Sequence, residues 1–426
     1  MKRFSDKKHD KEKCFRKSVK RFSDKKHDNQ ELEFLRGPTK SGKTLAMARA
    51  PALQEMEVLP EADRLEGFLH PRHTQNLFGH ETVERGLAEA FAVGRMHHGW
   101  LVAGAEGIGK ATLAYRLARY VLSEPHERDP FAQSLATAED STATRQVRAL
   151  SHPGLLVLRR TYDTKAKRFT ASISIDEVRR LRNFLGLRGA DGAWRVVIVD
   201  TADDLNPNAA NALLKSLEEP PARTLFLLLA SEPGRLLPTI RSRCRTLDLA
   251  ALASEPLRQA VRQALTASTE EVTDSLPAPS EWAILERLAE GSVRRLLGLR
   301  GGGGIALYKR LNDLVGVLPK LDWTAVHALS DELGGTAAEQ RFELFFELLL
   351  ALLSRLIRAR AGAPGSDPED AKLAGRLIPE GSLATWAELW ETIVAEKADV
   401  MLLNLDRKSL IVGIFQRLEA AARKAA

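Results

Sequence analysis

The stretch HHGWLVAGAEGIGKATLAYRLARYVL, residues 97–122, reads as strand, glycine turn and helix in a single run. HHGWLVAG (97–104) is an aromatic and aliphatic strand, GAEGIG supplies the turn, and ATLAYRLARYVL (111–122) places Leu113, Leu117 and Val121 on one helical face. Gly104, Gly107 and Gly109 let the backbone come close to a phosphate, and Lys110 stands where it reaches the outer phosphates. The phosphate-loop pattern G-x-x-x-x-G-K-[ST] fails at its last place, where Ala111 replaces the metal-binding hydroxyl. Thr112, one residue on, points about 100° away around the helix. That loss damages magnesium-dependent hydrolysis more than nucleotide binding.

A second stretch, GPTKSGKT (37–44), meets the pattern at every position but has a poor setting. ELEFLR before it is short and half charged, and LAMARA after it meets Pro51, which ends a helix. It reads as a coincidental match in a lysine-rich linker. The phrase KRFSDKKHD occurs at 2–10 and again at 20–28, in sequence too charged to bury a core. Residues 1–60 are expected to be a disordered basic tail of doubtful origin. Residues 1–44 hold 15 Lys and Arg against 7 Asp and Glu, whereas 45–426 hold 48 against 49. The net charge of +7 therefore belongs to the tail, and nucleic-acid contact by the body must come from local patches.

Cys14 and Cys244 cannot build a disulfide framework or a zinc site, so a reducing, cytoplasmic setting is expected and no metal is predicted. The most apolar run, LFFELLLALLSRL (344–356), carries Glu347 and Arg355 and is too short to cross a bilayer. It reads as a buried amphipathic helix.

WRVVIVDTADDL (194–205) is a second strand, ending in Asp200 where open α/β sheets form nucleotide sites. Thr201 stands where hydrolysing relatives of this arrangement carry the acid that orients water. NPNAANALLKSLEEPP (206–221) gives a helix with a Leu213, Leu214, Leu217 stripe, stopped by Pro220 and Pro221. TLFLLLASEP (224–233) is a strand leading to Ser231, and in LLPTIRSRCRTLDL (236–249) Ser242-Arg243-Cys244 precedes another.

In that order the motifs GAEGIGKAT, VVIVDTADDLN, NAANALLKSLEEPP, FLLLASEP, IRSRC and GSVRRLLGL (291–299) resemble the AAA+ clamp-loader family of bacterial DNA polymerase III, and within it the delta-prime type of subunit. The resemblance runs from about Leu65 to the end, the last third matching only in being helical and ending in LNLDRKSLI. It implies a five-subunit ring that opens a sliding clamp and places it on primed DNA. Arg243 would be an arginine finger acting in trans on a neighbouring gamma/tau ATPase subunit, with the delta subunit as a further partner. Gly104, Gly107, Gly109, Lys110, Thr112, Asp200, Ser231 (first sensor) and Arg294 (second sensor) would surround ATP or ADP at a degenerate loop. Weak or absent ATPase activity of its own follows; the alternative is an autonomous P-loop ATPase, or a gamma/tau-like hydrolysing subunit. Many family members carry a four-cysteine zinc module after the loop helix, but residues 123–154 hold no cysteine, and no zinc is expected.

Arg179, Arg180 and Arg182 lie on a predicted helix that reads more readily as a solvated face than as a phosphate contact. His97 and His98 lack a third ligand at metal spacing. The expected architecture is an AAA+ doubly wound parallel sheet at 61–250, a helical lid at 251–304 closing in a Gly-rich linker or hinge, and an all-α collar at 305–426.

Overall fold

The computed structural model describes residues 60–186, 193–268, 277–335, 338–364, 367–403 and 405–423. The duplicated tail phrase and the 37–44 match lie outside the described residues. The strands are β1 (Gly99–Ala103), β2 (Leu155–Arg159), β3 (Tyr162–Asp163), β4 (Arg168–Phe169), β5 (Arg195–Asp200), β6 (Thr224–Ala230) and β7 (Arg245–Asp248). Five form a parallel sheet in the order β2-β5-β6-β1-β7, while β3 and β4 make a separate antiparallel hairpin. Helices α1 (Glu81–Ala92), α2 (Lys110–Leu122), α3 (Thr142–Arg148), α4 (Ile175–Gly186), α5 (Pro207–Glu218) and α6 (Pro238–Arg241) complete this part.

The central strands are apolar at nearly every position because both faces of the sheet are covered, and alternate residues enter different cores. Trp100, Val102, Val196, Ile198, Leu225 and Leu227 pack with Leu113, Leu117 and Val121 of α2. Leu101, Val197, Val199, Phe226 and Leu228 face the other way, against Val178 and Leu181 of α4 and Leu213 and Leu217 of α5. Full burial of each such side chain is worth roughly 1.5–3 kcal/mol, which fixes the register of the sheet.

That register pairs Ala103 with Ala230 and Val199 with Leu228, so β1, β5 and β6 end together and deliver Gly104, Thr201 and Ser231 to one edge. After β1 the chain enters α2 on one face, and after β6 it enters α6 on the other, where Ile240 is buried. Such a divergence opens the crevice in which open α/β sheets bind ligands.

Beyond the sheet come α7 (Ser254–Thr266), α8 (Pro279–Ala289), α9 (Val293–Gly301), α10 (Gly304–Gly316), α11 (Trp323–Leu333), α12 (Glu339–Arg360), α13 (Pro368–Leu377), α14 (Leu383–Leu403) and α15 (Arg407–Arg423). A single apolar core runs through them from Leu252 to Ala422. The tetraglycine, read as a hinge, interrupts the helices only at Gly302 and Gly303. A Cβ on Gly304 would lie 2.6 Å from the Leu299 carbonyl oxygen, so close approach of α10 to α9 accounts for the glycine there.

The sequence reading did not single out α11 and α13, although both carry start signals. Asp322 accepts from the backbone N–H groups of Thr324 and Ala325, and Asp367 accepts from that of Glu369, with Pro368 in the first turn. Among the described residues no helix is long and apolar enough to cross a membrane. The run at 344–356 lies in α12, where Phe345, Leu349, Leu352 and Leu356 are buried and Arg355 Nε donates to Asp370 (2.9 Å).

Phe345→Ala is expected to lower stability by about 3–5 kcal/mol, whereas Leu402→Ala, at a site 81% exposed, changes it by less than about 0.5 kcal/mol. Denaturant midpoints measured at unchanged slope check the contrast.

Candidate nucleotide site

A cavity of about 930 Å³ opens at the carboxyl edge of the sheet. The glycine turn, Asp200, Asp203 and Ser231 line it from the sheet side, and Arg294, Leu297 and Ala264 line it from the helices beyond. Leu65, Phe68, Leu77 and Phe78 form an apolar end. Gly107, Gly109, Lys110, Thr112, Asp200, Ser231 and Arg294 therefore share one cavity. Gly104 stands beside it, in contact through its carbonyl group.

The turn is held by its own carbonyls. Gly107 O accepts from Val293 N (2.9 Å), and Ile108 O contacts the buried ring of His80 (3.0 Å). Lys110 Nζ donates to Gly104 O (2.7 Å), Ala105 O (2.7 Å) and Ser231 Oγ (3.0 Å). All three ammonium donors are thus satisfied within the chain. Gly107 has φ +76°, and a Cβ there would collide with Ser292 Oγ and lie 2.5 Å from Arg294 Cβ, so only glycine lets the turn touch the start of α9. Ser292 caps α9 by accepting from Arg295 N (3.2 Å), and Arg294 pairs with Glu106 (3.0 Å).

Asp200 is buried, and its Oδ2 has no hydrogen-bond partner among the described residues. Burial, and then the charge of Asp63, push its pKa up to about 7 against the opposing pull of Lys110, Arg159 and Arg294. Burial lowers the Lys110 pKa, while Asp200, Glu106 and Asp203 act to raise it. Asp203 accepts from the backbone N–H groups of Ser231 (2.5 Å) and Glu232 (3.3 Å), fixing the end of β6.

The sequence reading missed a polar network under the cavity. His70 Nε2 meets Asp63 Oδ2 at 2.7 Å; Arg159 reaches Asp63 Oδ1 (2.8 Å) and Glu61 (2.6 Å), and Arg72 reaches Glu61 (2.7 Å). Burial would raise the Asp63 pKa, but the His70 hydrogen bond and the charges of His70 and Arg159 outweigh it, and the net shift is downward. The network fastens residues 61–73, and with them Leu65 and Phe68, to the end of β2. Its members lie far apart in sequence, and no spacing announces them.

Arg243 lies elsewhere. It follows α6 and precedes β7, at the amino edge of the sheet, where a Cβ on Gly99 would lie 3.4 Å from its carbonyl oxygen. Strand β1 separates that edge from the glycine turn by roughly 13 Å at about 3.3 Å per residue. The guanidinium pairs with Glu218 (2.7 Å), donates to Thr239 O (2.9 Å), and keeps 35% of its side chain exposed. Cys244 beside it is half-buried against the α5 core, and burial pushes its thiol up to about 11. His97 and His98 stack on each other at 4.3 Å.

In the cysteine-free stretch 123–154 a turn is fixed by Asp129. Its carboxylate accepts from the backbone N–H groups of Phe131, Gln133 and Ser134. Arg128 lies over the Phe91 and Tyr120 rings. No group of three or more His, Cys, Asp or Glu able to hold a metal occurs among the described residues.

A glycine turn at a helix start, an acid ending the strand two places away in the sheet, and an opposed helical layer bearing Arg294 define a P-loop module of the AAA+ type. A family model described as DNA polymerase III, delta subunit, matches residues 79–253. The delta' subunit of Escherichia coli DNA polymerase III is 33% identical over 340 residues, covering 78% of this chain and 92% of that protein. The tau subunit of Salmonella typhimurium is 28% identical over 336 residues, covering 74% of this chain and 49% of that protein, so the chain spans about half the length of that relative. A gamma subunit-related structure from Thermotoga maritima has a TM-score of 0.37 at 18% identity, covering 79% of this chain and 100% of that one. The Bacillus subtilis DNA clamp loader delta protein has a TM-score of 0.30 at 13% identity, covering 79% and 99%. The chain belongs to the clamp-loader subunit family of bacterial DNA polymerase III.

The raised Asp200 pKa sets a pH dependence. A carboxyl held above its ordinary 3.8 favours the protonated native state, so stability falls as pH rises from about 4 to about 7. Asp200→Asn should therefore raise the melting temperature at pH 8, and the gain should shrink towards zero near pH 4. Thermal melts across that range check both the sign and the window.

Proposed function

We propose that this chain is the delta-prime-type subunit of the clamp loader, a ring member that donates Arg243 to ATP held by a neighbouring gamma/tau-type subunit. The observation that carries the reading is the position of Arg243. It lies at the sheet edge opposite its own glycine turn, half exposed, so its guanidinium is available to a triphosphate outside this chain. Its pair with Glu218 is solvent-facing, the kind worth about 0–1 kcal/mol, and gives way easily to a phosphate that accepts two parallel hydrogen bonds.

The chain's own site supports the same reading. ATP or ADP fits the cavity in chemistry, with an apolar end for a base and a glycine turn at a helix start for phosphates. Ala111 withholds the hydroxyl that would hold magnesium, and Thr201 withholds the water-orienting acid. The charges a nucleotide would meet are already partnered: Lys110 by loop carbonyls and Ser231, Arg294 by Glu106. Binding must first release the three Lys110 contacts, which favours a structural site over a turning one, whereas the solvent-facing Arg294–Glu106 pair yields as easily as that of Arg243.

In this reading residues 61–250 are the P-loop module, 251–304 the lid and 305–426 the collar that joins five subunits. The delta subunit, sliding clamp and primed DNA complete the assembly in the cytoplasm.

The purified chain is expected to show negligible ATP turnover. Reconstituted with gamma/tau and delta subunits, clamp and primed DNA, it should support hydrolysis that Arg243→Ala reduces by on the order of 10³-fold at the boundary it serves. Turnover by the isolated chain that Lys110→Ala abolishes would instead make it a hydrolysing, gamma/tau-like subunit.

A further inference from the structure

We propose that the β3–β4 hairpin is a nucleic-acid contact that grips the phosphate backbone of a duplex. It deepens the clamp-loader reading, because DNA is a partner that reading names. The hairpin leaves the sheet immediately after β2, on the cavity side, where Arg160 pairs with Asp204 (3.0 Å) and both line the cavity. Residues 163–168 are all exposed. Lys165 and Lys167 make no ion pair among the described residues, and Arg168 stands opposite Asp163 in the register.

Charge is concentrated here. Residues 160–182 hold seven Lys and Arg against three Asp and Glu, within a body of 48 against 49. On the following helix Arg179 and Arg180 are paired with Asp176 and Glu177, while Arg182 is exposed and makes no ion pair among the described residues. The cations left unneutralised are thus chiefly those of the hairpin.

The hairpin is built to present them. Asp163 Oδ1 accepts from the backbone N–H groups of Lys165 (2.8 Å) and Ala166 (3.1 Å), which fixes the turn. At its base Thr170 N donates to Thr161 O (2.9 Å), and Thr161 N donates to Thr170 Oγ1 (3.2 Å). The Tyr162 and Phe169 rings pack edge to face at 5.2 Å, half-buried between the two strands. A protein-binding patch needs an exposed apolar centre, and the tip from 163 to 168 has none. Cations projecting from a fixed turn suit phosphates, which ask only for charge and position.

The test is fluorescence anisotropy of a labelled primed-template duplex, titrated with the full chain assembled with gamma/tau and delta subunits. The triple variant Lys165→Ala, Lys167→Ala, Arg168→Ala should bind roughly tenfold more weakly near 0.1 M salt, with a slope of log K against log salt shallower by about 2–3. An unchanged circular dichroism spectrum and melting temperature establish that the variant is folded, and Lys165→Arg with Lys167→Arg should restore binding. Wild-type affinity and slope in the triple variant overturn the proposal. So does lost assembly with unaltered DNA binding, which would make an acidic protein the hairpin's target. If the wild-type chain fails to assemble at all, the subunit reading fails by itself, and the same titration of the isolated chain decides the hairpin.

Discussion

Parallel strand pairing is the constraint on which the rest depends. Because β1, β5 and β6 run together and end in register, Gly104, Thr201 and Ser231 emerge at one edge, beside the cavity. The same pairing sends the segment before β7 to the opposite edge, and Arg243 with it. Alternate burial of Val196 to Val199 and Leu225 to Ala230 in two cores makes a one-residue slip prohibitive, since it would exchange the two faces. The distance between the glycine turn and Arg243 is therefore a property of the sheet.

Within the cavity, competition among buried charges decides what the site can do. Lys110 turns back on two loop carbonyls and a hydroxyl, Arg294 leans on Glu106, and Asp200 is pressed towards neutrality by burial and by Asp63. Beneath them His70, Asp63, Arg159 and Glu61 form a paired network. Asp63 meets both His70 and Arg159, and Glu61 meets both Arg72 and Arg159, so the loss of one cation leaves neither carboxylate alone. The framework surrounds a glycine turn followed by Ala111, beside a strand end followed by Thr201.

The sheet and the glycine turn were legible in sequence because each rests on a local pattern, an aliphatic run, a glycine turn or an apolar stripe at helical spacing, whereas Arg294 was placed beside them only by the family resemblance. Gly107, Lys110, Asp200, Ser231 and Arg294 meet in one cavity as the motif order implied. The Asp63–His70–Arg159 network was not legible, since residues up to 96 apart meet only after folding. Nor was the need for glycine at 304, because a sequence does not show the carbonyl that this residue must clear. Helices α11 and α13 carried aspartate caps that an apolar periodicity search passes over.

Whether Arg243 meets a triphosphate held by a neighbouring subunit is open to direct measurement. An ATP analogue carrying a short photoreactive group on its γ-phosphate, bound to the assembled complex and followed by peptide mapping, reads this directly. The account predicts adducts on the segment Ser242–Arg245 of this chain, lost when the neighbouring subunit's nucleotide site is emptied. Adducts confined to residues 104–112, with none around Arg243, would contradict it.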